Sequence, residues 1–341
     1  MSDEPPRPPR RKRYHGSNPR RFEDKYKELD PSRFADTVAK VIASGKTPAG
    51  SHLPILVPEC LAALRLQPGL TGVDATLGYG GHATRILQQI TPGGKLLGLD
   101  QDPIELPKTE QRLRQAGFDT TCFEAVRCNY AGLARVLEER GMAAVDFIFA
   151  DLGCSSMQFD DPARGFSFKS TGPLDMRMNP QRGLSAAAWL ARVAPNKLAA
   201  ALHHHADEPR ADSLAAALAG RMFHSTLDLA TAIRQAVRTH DDERELTVRR
   251  VFQAVRIAVN EELVALDAFL RVLPDCLNPG GRIAILSFHS GEDRRVKKAM
   301  QAGLQAGIFS AMSEGVITAS ADERRLNPRS TSAKLRWAVR A

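Results

Sequence analysis

From about residue 70 onward, short β-rich apolar runs alternate with segments in which apolar residues recur every three or four positions. The runs Val73 to Leu77, Leu96 to Leu99, Thr120 to Ala125, Val145 to Ala150 and Arg282 to Phe288 read as core strands. Strands alternating with helices in this way predict an α/β fold, a parallel sheet covered by helices. Lys334 to Val339 reads as a last strand that brings the chain back to the sheet. Between the fourth and fifth strands lie about 130 residues, too many for an ordinary βα connection. They predict an inserted domain: a loop from Arg164 to Arg182, then helices at Leu184 to Ala191, Asn196 to His203, Ser213 to Met222, Asp228 to Thr239 and Val248 to Leu273. The expected layout is a sheet domain made of residues 36–165 and 262–341, interrupted by an all-helical insertion over 166–261.

Length and composition fit this picture, since 341 residues at 43% hydrophobic can bury a full core. The five cysteines (Cys60, Cys122, Cys128, Cys154 and Cys276) are scattered and never spaced C-x-x-C, which points to neither a disulfide framework nor a zinc site. No apolar run approaches the roughly 20 residues needed to span a bilayer, and no signal-peptide core stands at the N-terminus. A cytoplasmic protein without membrane contact is expected. The net charge of +8 is concentrated at one end: Arg7, Arg10, Arg11, Lys12, Arg13, Arg20 and Arg21 stand among prolines with no acidic residue between them. Residues 1–35 therefore read as a disordered basic arm, which serves either solubility or phosphate contact.

Candidate chemistry begins where the first strand, TGVDATL, runs into GYGGHA. Gly78, Gly80 and Gly81 permit a sharp turn and close approach of a ligand to the backbone. Gly78, Gly80 and Ala83 also fit a relaxed dinucleotide fingerprint, so the loop alone does not separate a nucleotide cofactor from a methyl donor. Asp100 follows about twenty residues later at the end of the next strand, where a carboxylate can accept ribose hydroxyls. Asp74 stands in the first strand just ahead of the loop, and Asp151 ends the fourth strand in DLGCSSMQFDD. Carboxylates at these positions suit a sulfonium amino acid better than a pyrophosphate.

The residues at this point resemble one family, the RsmH (MraW) methyltransferases of small-subunit (16S) ribosomal RNA. The resemblance runs from Ser51 to Arg340 through HLPILVPECL, DATLGYGGHATRIL, LLGLDQDP, DLGCSSMQFDDPARGFSFKSTGPLDMRM, RRVFQAVRIAVNEEL, NPGGRIAILSFHSGEDRRVK and NPRSTSAKLR. The arm before Ser51 has no counterpart in the common family pattern. The resemblance implies a class I (Rossmann-like) S-adenosylmethionine methyltransferase sheet carrying an all-helical insertion for substrate recognition. It also implies methylation of the exocyclic N4 amine of a cytidine at the decoding centre of 16S rRNA in the small ribosomal subunit. Carried over by position, Gly80, Gly81, His82, Asp100, Tyr130, Asp151 and Gln158 would bind S-adenosylmethionine. His82 fits a helix cap as well.

Amine methylation chiefly needs alignment of nitrogen, methyl carbon and sulfur, with an acceptor for the amine hydrogens. Asp151, Ser155, Ser156, His289 and Ser290 are the candidates for that work, and Phe166, Phe168 and Phe288 are candidates for holding an extruded base. Each Phe equally fits core packing. Arg249, Gln253, Arg256 and Asn260 share one helical face by their spacing of four, three and four, and that stripe either faces RNA or the pocket or is a solvated face paired with nearby glutamates. Arg177 is a second phosphate candidate, so Phe166, Arg177, Arg249 and Arg256 form the expected RNA contacts. His203, His204 and His205 adjoin along a helix and point apart, so no metal is expected. Three other readings stay open: a cytosine-C5 methyltransferase using Cys154 as nucleophile, an NAD-dependent oxidoreductase, and a non-catalytic ribosome-assembly factor. A homodimer is among the oligomeric states the sequence allows.

Overall fold

The computed structural model describes residues 53–341. The expected basic arm, residues 1–35, lies outside that range. After helix α1 (Val57–Leu64), strands and helices alternate: β1 (Thr71–Asp74), α2 (Gly81–Ile90), β2 (Lys95–Asp100), α3 (Glu105–Gln115), β3 (Phe123–Arg127), α4 (Leu133–Glu138) and β4 (Val145–Asp151). A short helix α5 (Ser156–Asp160) leads into five more, α6 (Ala186–Arg192), α7 (Pro195–Ala206), α8 (Ala211–Leu218), α9 (Thr226–Ala236) and α10 (Asp241–Val259). Helix α11 (Glu262–Val272) returns to β5 (Leu277–Ser287), followed by α12 (Ser290–Gln305), β6 (Phe309–Met312), α13 (Ala321–Leu326) and β7 (Lys334–Arg340).

The strands form one seven-stranded sheet in the order β3-β2-β1-β4-β5-β7-β6. Strands β1 to β5 are parallel to one another, while β7 runs antiparallel to both β5 and β6. This is the class I methyltransferase arrangement. Strand order reverses direction between β1 and β4, and a doubly wound sheet opens its ligand crevice at the carboxyl ends of the strands flanking such a switch point.

The predicted strands β1 to β5 and β7 all form, shifted at their ends. Strand β6 was not predicted, because four residues at a sheet edge, with Ser310 and Ala311 among them, carry too little alternation to register. The predicted helix from Val248 to Leu273 is instead two helices broken at Asn260 and Glu261. Glu261 adopts a left-handed conformation at φ 51°. Asn260 turns its side chain back onto the backbone, donating to the carbonyls of Met176 and Arg256 and accepting from Met178 N–H. An amide that competes in this way for backbone partners ends a helix.

That break also divides the cores. Val248, Val251, Phe252, Ala254 and Val255 of α10 pack with Leu190, Leu198, Leu202, Leu214 and Leu229 in a cluster of the helical segment. Leu263, Leu266 and Phe269 of α11 instead pack against Val73, Leu97, Ile148 and Ile283 of the sheet. The other face of the sheet is covered by α1 and α2 through Leu56, Leu64, Ile86, Leu87 and Ile90 on Phe147 and Phe149. Among the described residues, no helix is long and apolar enough to cross a membrane.

Candidate active site

The glycine loop leaves β1 and is held from two sides. Gly78 N–H donates to Asp100 Oδ2 at 2.9 Å, while Thr109 Oγ1 donates to Gly78 O at 2.6 Å. Gly80 has φ 84°, and a Cβ there would stand 3.0 Å from Thr109 Cγ2, so both the turn and the close packing require glycine. Arg112 lies over the Tyr79 ring at 3.8 Å and also reaches Thr109 Oγ1. Helix α3 thus props the loop through Thr109 and Arg112. Neither residue stands out in the sequence, because both sit as ordinary polar positions on an amphipathic helix.

Asp100 sits at the end of β2, where its Oδ1 also accepts Asp102 N–H at 2.9 Å. Asp74, at the end of β1, is buried and accepts Thr76 N–H. Asp151, at the end of β4, keeps its carboxylate 29% exposed towards the crevice, with Oδ2 3.6 Å from His82 Nδ1. Burial pushes all three carboxyls up. Asp100 rises to about 6, and Asp74 to about 7 with Asp100 adding repulsion. Asp151 rises to about 8, with Asp74 and Glu292 adding to the effect. Among the described residues none of the three pairs with a lysine or arginine. His82 is no counter-charge either, because burial pushes it down to about 4 while its Nε2 donates to Ile55 O at 2.9 Å. His82 therefore pins the segment Leu53 to Leu56 against the start of α2.

Gln158 is placed differently from the expected pocket-lining role. Its side chain is buried, donating to Asp102 Oδ2 at 2.8 Å and accepting Ser155 N–H at 3.2 Å, so both ends of the amide are used within the protein. Tyr130 sits at the turn after β3, edge-on to Phe269 at 5.4 Å, with its hydroxyl donating to Glu262 O at 3.2 Å. That leaves the turn beside Asp100 lined by an aromatic ring fixed from α11. Asn129 ties this turn to Gln101 at 2.9 Å.

Past Asp151 the chain turns at Gly153, with φ 98°, and a Cβ there would lie 3.8 Å from Phe288. Phe288 and His289 follow β5 beside it, at the start of α12. Glu292 accepts Phe288 N–H at 2.8 Å and lies 3.2 Å from His289 Nε2. Ser155 and Ser156 open α5 next to this turn and are partly exposed. Ser290 lies further out, donating to Asp207 Oδ2 at 2.8 Å on the surface. Cys154 is not an activated thiol: burial pushes it up to about 12, with Arg256 offsetting part of the shift.

The expected RNA contacts divide. Arg249 is exposed on α10. Arg256 is not available to phosphate, since it is half-buried and engaged in a two-pronged pair with the buried Glu262 at 2.8 and 3.0 Å. Gln253 on the same face donates to His205 O, and Asn260 to the carbonyls already named, so below Arg249 the stripe faces protein. Arg177 is held by Asp175 at 2.7 and 2.8 Å and by Gly183 O, which leaves little of its fork for a ligand. Phe166 is 4% exposed and packs edge-on against Phe159, so it belongs to the core rather than to a base-binding surface. Phe168 likewise packs on Phe252. No group of histidines, cysteines and carboxylates suited to a metal occurs among the described residues.

Comparison with known proteins agrees with this geometry. The MraW methylase family matches residues 49–341. Ribosomal RNA small subunit methyltransferase H 1 of Lachnoclostridium phytofermentans is 45% identical across 97% of this chain and 93% of its own length. Ribosomal RNA small subunit methyltransferase H 2 of Alkaliphilus metalliredigens is 45% identical, and ribosomal RNA small subunit methyltransferase H 1 of Agathobacter rectalis 46%, each over 97% of both chains. Coverage of 97% must reach well into the residues ahead of position 49. The family pattern itself starts after the basic arm, as expected, while these individual relatives have sequence aligned with part of it. With 289 described residues arranged on the class I sheet and the family match spanning residues 49–341, the chain belongs to the MraW methylase family.

Proposed function

We propose that the protein is an S-adenosylmethionine-dependent methyltransferase acting on the exocyclic N4 amine of a cytidine in 16S rRNA, at the decoding centre of the small ribosomal subunit. The observation that carries the donor half is the set of buried and half-buried carboxylates at the ends of β1, β2 and β4, which have no cationic partner among the described residues. A ligand bearing an ammonium and a sulfonium supplies the missing positive charge. Asp100 suits the ribose hydroxyls, the backbone at Gly80 and Gly81 the approach of the amino acid portion, and Tyr130 the flank of the adenine. When bound, S-adenosylmethionine provides an electrophilic methyl carbon.

The protein's own residues then need to place the cytosine amine and take up its hydrogens. Asp151 is the carboxylate that reaches the crevice, and once ionised beside the cationic donor its raised basicity suits an acceptor of amine hydrogens. Phe288, facing the Gly153 turn, is the aromatic best placed to stack on an extruded base, and Ser155, Ser156 and His289 lie around it. Amine methylation is favoured over attack from carbon 5 because the latter needs a thiolate at Cys154, and that thiol is held far above neutrality. The small-subunit RNA target rests on the names of the relatives, and the cytidine amine on the resemblance of the sequence blocks.

The test is product identity. Purified protein, methyl-labelled donor and small subunits lacking the modification are expected to yield N4-methylcytidine on nucleoside mass spectrometry. Labelled 5-methylcytidine would move the assignment to the cysteine route. RNA binding without transfer would make the protein an assembly factor that keeps a donor fold.

A further inference from the structure

A buried polar strut joins the proposed ribose-binding carboxylate to the helical segment. Asp100 Oδ1 accepts Asp102 N–H, and the Asp102 side chain accepts Ile104 N–H at the start of α3. Its other oxygen accepts Gln158 Nε2 and Arg164 Nη1, each at 2.8 Å. The opposite nitrogen of the same guanidinium, Arg164 Nη2, donates to Met178 O at 2.9 Å and Arg177 O at 3.1 Å. Met178 N–H is in turn held by Asn260 at the end of α10, and its sulfur lies 3.0 Å from Gln101 Nε2. Arg164 and Asp102 are 7% and 2% exposed, so water does not compete for these bonds.

An ion pair buried this deeply is a poor way to gain stability, because desolvation offsets most of the attraction and apolar replacements are often as good. What the planar fork of an arginine does add is fixed direction on several acceptors at once. Three elements meet on Arg164: the turn of Asp102 that follows Asp100 at the end of β2, the segment from Asp151 at the end of β4 through Gln158 in α5, and the loop of Arg177 and Met178 that buttresses α10. We propose that Arg164 is a positioning residue for methyl transfer, coupling occupation of the donor site to the arrangement of the target-base loop and the helical segment, so that donor and RNA bind cooperatively. This rests on the functional reading above. Because coupling between two ligands is reciprocal, it is read equally well from either one.

The experiment compares the unaltered protein with Arg164→Lys and Arg164→Met. Affinity for S-adenosylhomocysteine is measured by calorimetry, and affinity for small ribosomal subunits is measured with and without saturating S-adenosylhomocysteine. The unaltered protein is expected to bind subunits at least about fivefold more tightly when the nucleoside is present. Arg164→Lys keeps a charge against Asp102 but cannot also fork onto the two carbonyls. It is expected to hold S-adenosylhomocysteine normally and to lose the enhancement in subunit binding. Arg164→Met is expected to lose both. A purely structural role moves the two readouts together. A lysine variant that retains the full enhancement, or an unaltered protein that shows none, overturns the proposal. Failure of the unaltered protein to bind subunits at all would overturn the functional reading and this proposal with it.

Discussion

Two regions of the molecule bury charge, and they do it in opposite ways. At the ends of β1, β2 and β4, Asp74, Asp100 and Asp151 are pushed upward chiefly by burial and further by neighbouring carboxylates, with no cationic side chain among the described residues to meet them. Elsewhere Arg256 of α10 forks onto Glu262 of α11, and Arg164 donates from one guanidinium nitrogen to Asp102 and from the other to two carbonyls. Charge buried with its partner ties elements together. Charge buried without one is costly to the ligand-free protein and stores affinity for a ligand of opposite sign. The comparison separates the connecting residues from the ligand-facing ones without reference to their spacing in sequence.

The largest expected effect lies on the paired side. Arg256→Met leaves Glu262 buried and uncompensated, which costs about 3–5 kcal/mol of stability, whereas Arg256→Met combined with Glu262→Leu recovers most of the loss. Urea unfolding of both variants checks this. Equal destabilisation of the single and double variants would mean that the pair is not what Arg256 contributes.

On the unpaired side, Asp151→Ala is expected to leave the fold intact, because it removes a charge the protein buries at a cost, and to reduce single-turnover methyl transfer on the order of a hundredfold through misplacement of the reacting groups. Rapid-quench measurement at saturating donor checks the rate. A near-normal rate would return Asp151 to a structural role.

The raised carboxyls also set a pH dependence. Unfolded carboxylates titrate near 4, so between about pH 4 and 8 the ligand-free fold carries protons that the unfolded chain has lost. Its stability therefore falls as pH rises through the folded values of about 6, 7 and 8. A cationic donor prefers the ionised carboxylates, so its affinity is expected to rise across the same window and to level off above about pH 8. Calorimetry at pH 7 in two buffers of different ionisation enthalpy counts the protons released. Identical heats in both buffers would show that the carboxylates are already ionised before the donor arrives.

The smallest effect is predicted for Cys154→Ser, which is expected to retain transfer within about tenfold, since a thiol held near 12 takes no covalent part. Complete loss of transfer with normal donor binding would favour the cysteine route.

The donor half was legible because its signal is local. Glycines at a strand end and a carboxylate at the next strand end follow from chain geometry within about thirty residues, as the Gly78 to Asp100 hydrogen bond illustrates. The recognition half was not. Periodicity put Gln253 and Arg256 on one helical face, with Asn260 just past the helix end, but gave no information on what that face meets. The partners of Gln253 and Asn260 are carbonyls 48 and 84 residues away in the chain. The partner of Gln158 and Arg164 was hidden for the same reason, since Asp102 lies 56 and 62 residues from them. The break at Asn260 and Glu261 escaped notice because the apolar pattern of α10 runs on into α11, and only a polar side chain turned onto the backbone interrupts it.

The central claim, methylation of a cytidine amine in 16S rRNA, is tested most directly by nucleoside mass spectrometry of ribosomal RNA from cells with and without the gene. The account predicts that loss of the gene lowers N4-methylated cytidine in the small-subunit RNA and leaves 5-methylcytidine unchanged. An unchanged level of N4-methylated cytidine, or a selective fall in 5-methylcytidine, would contradict it.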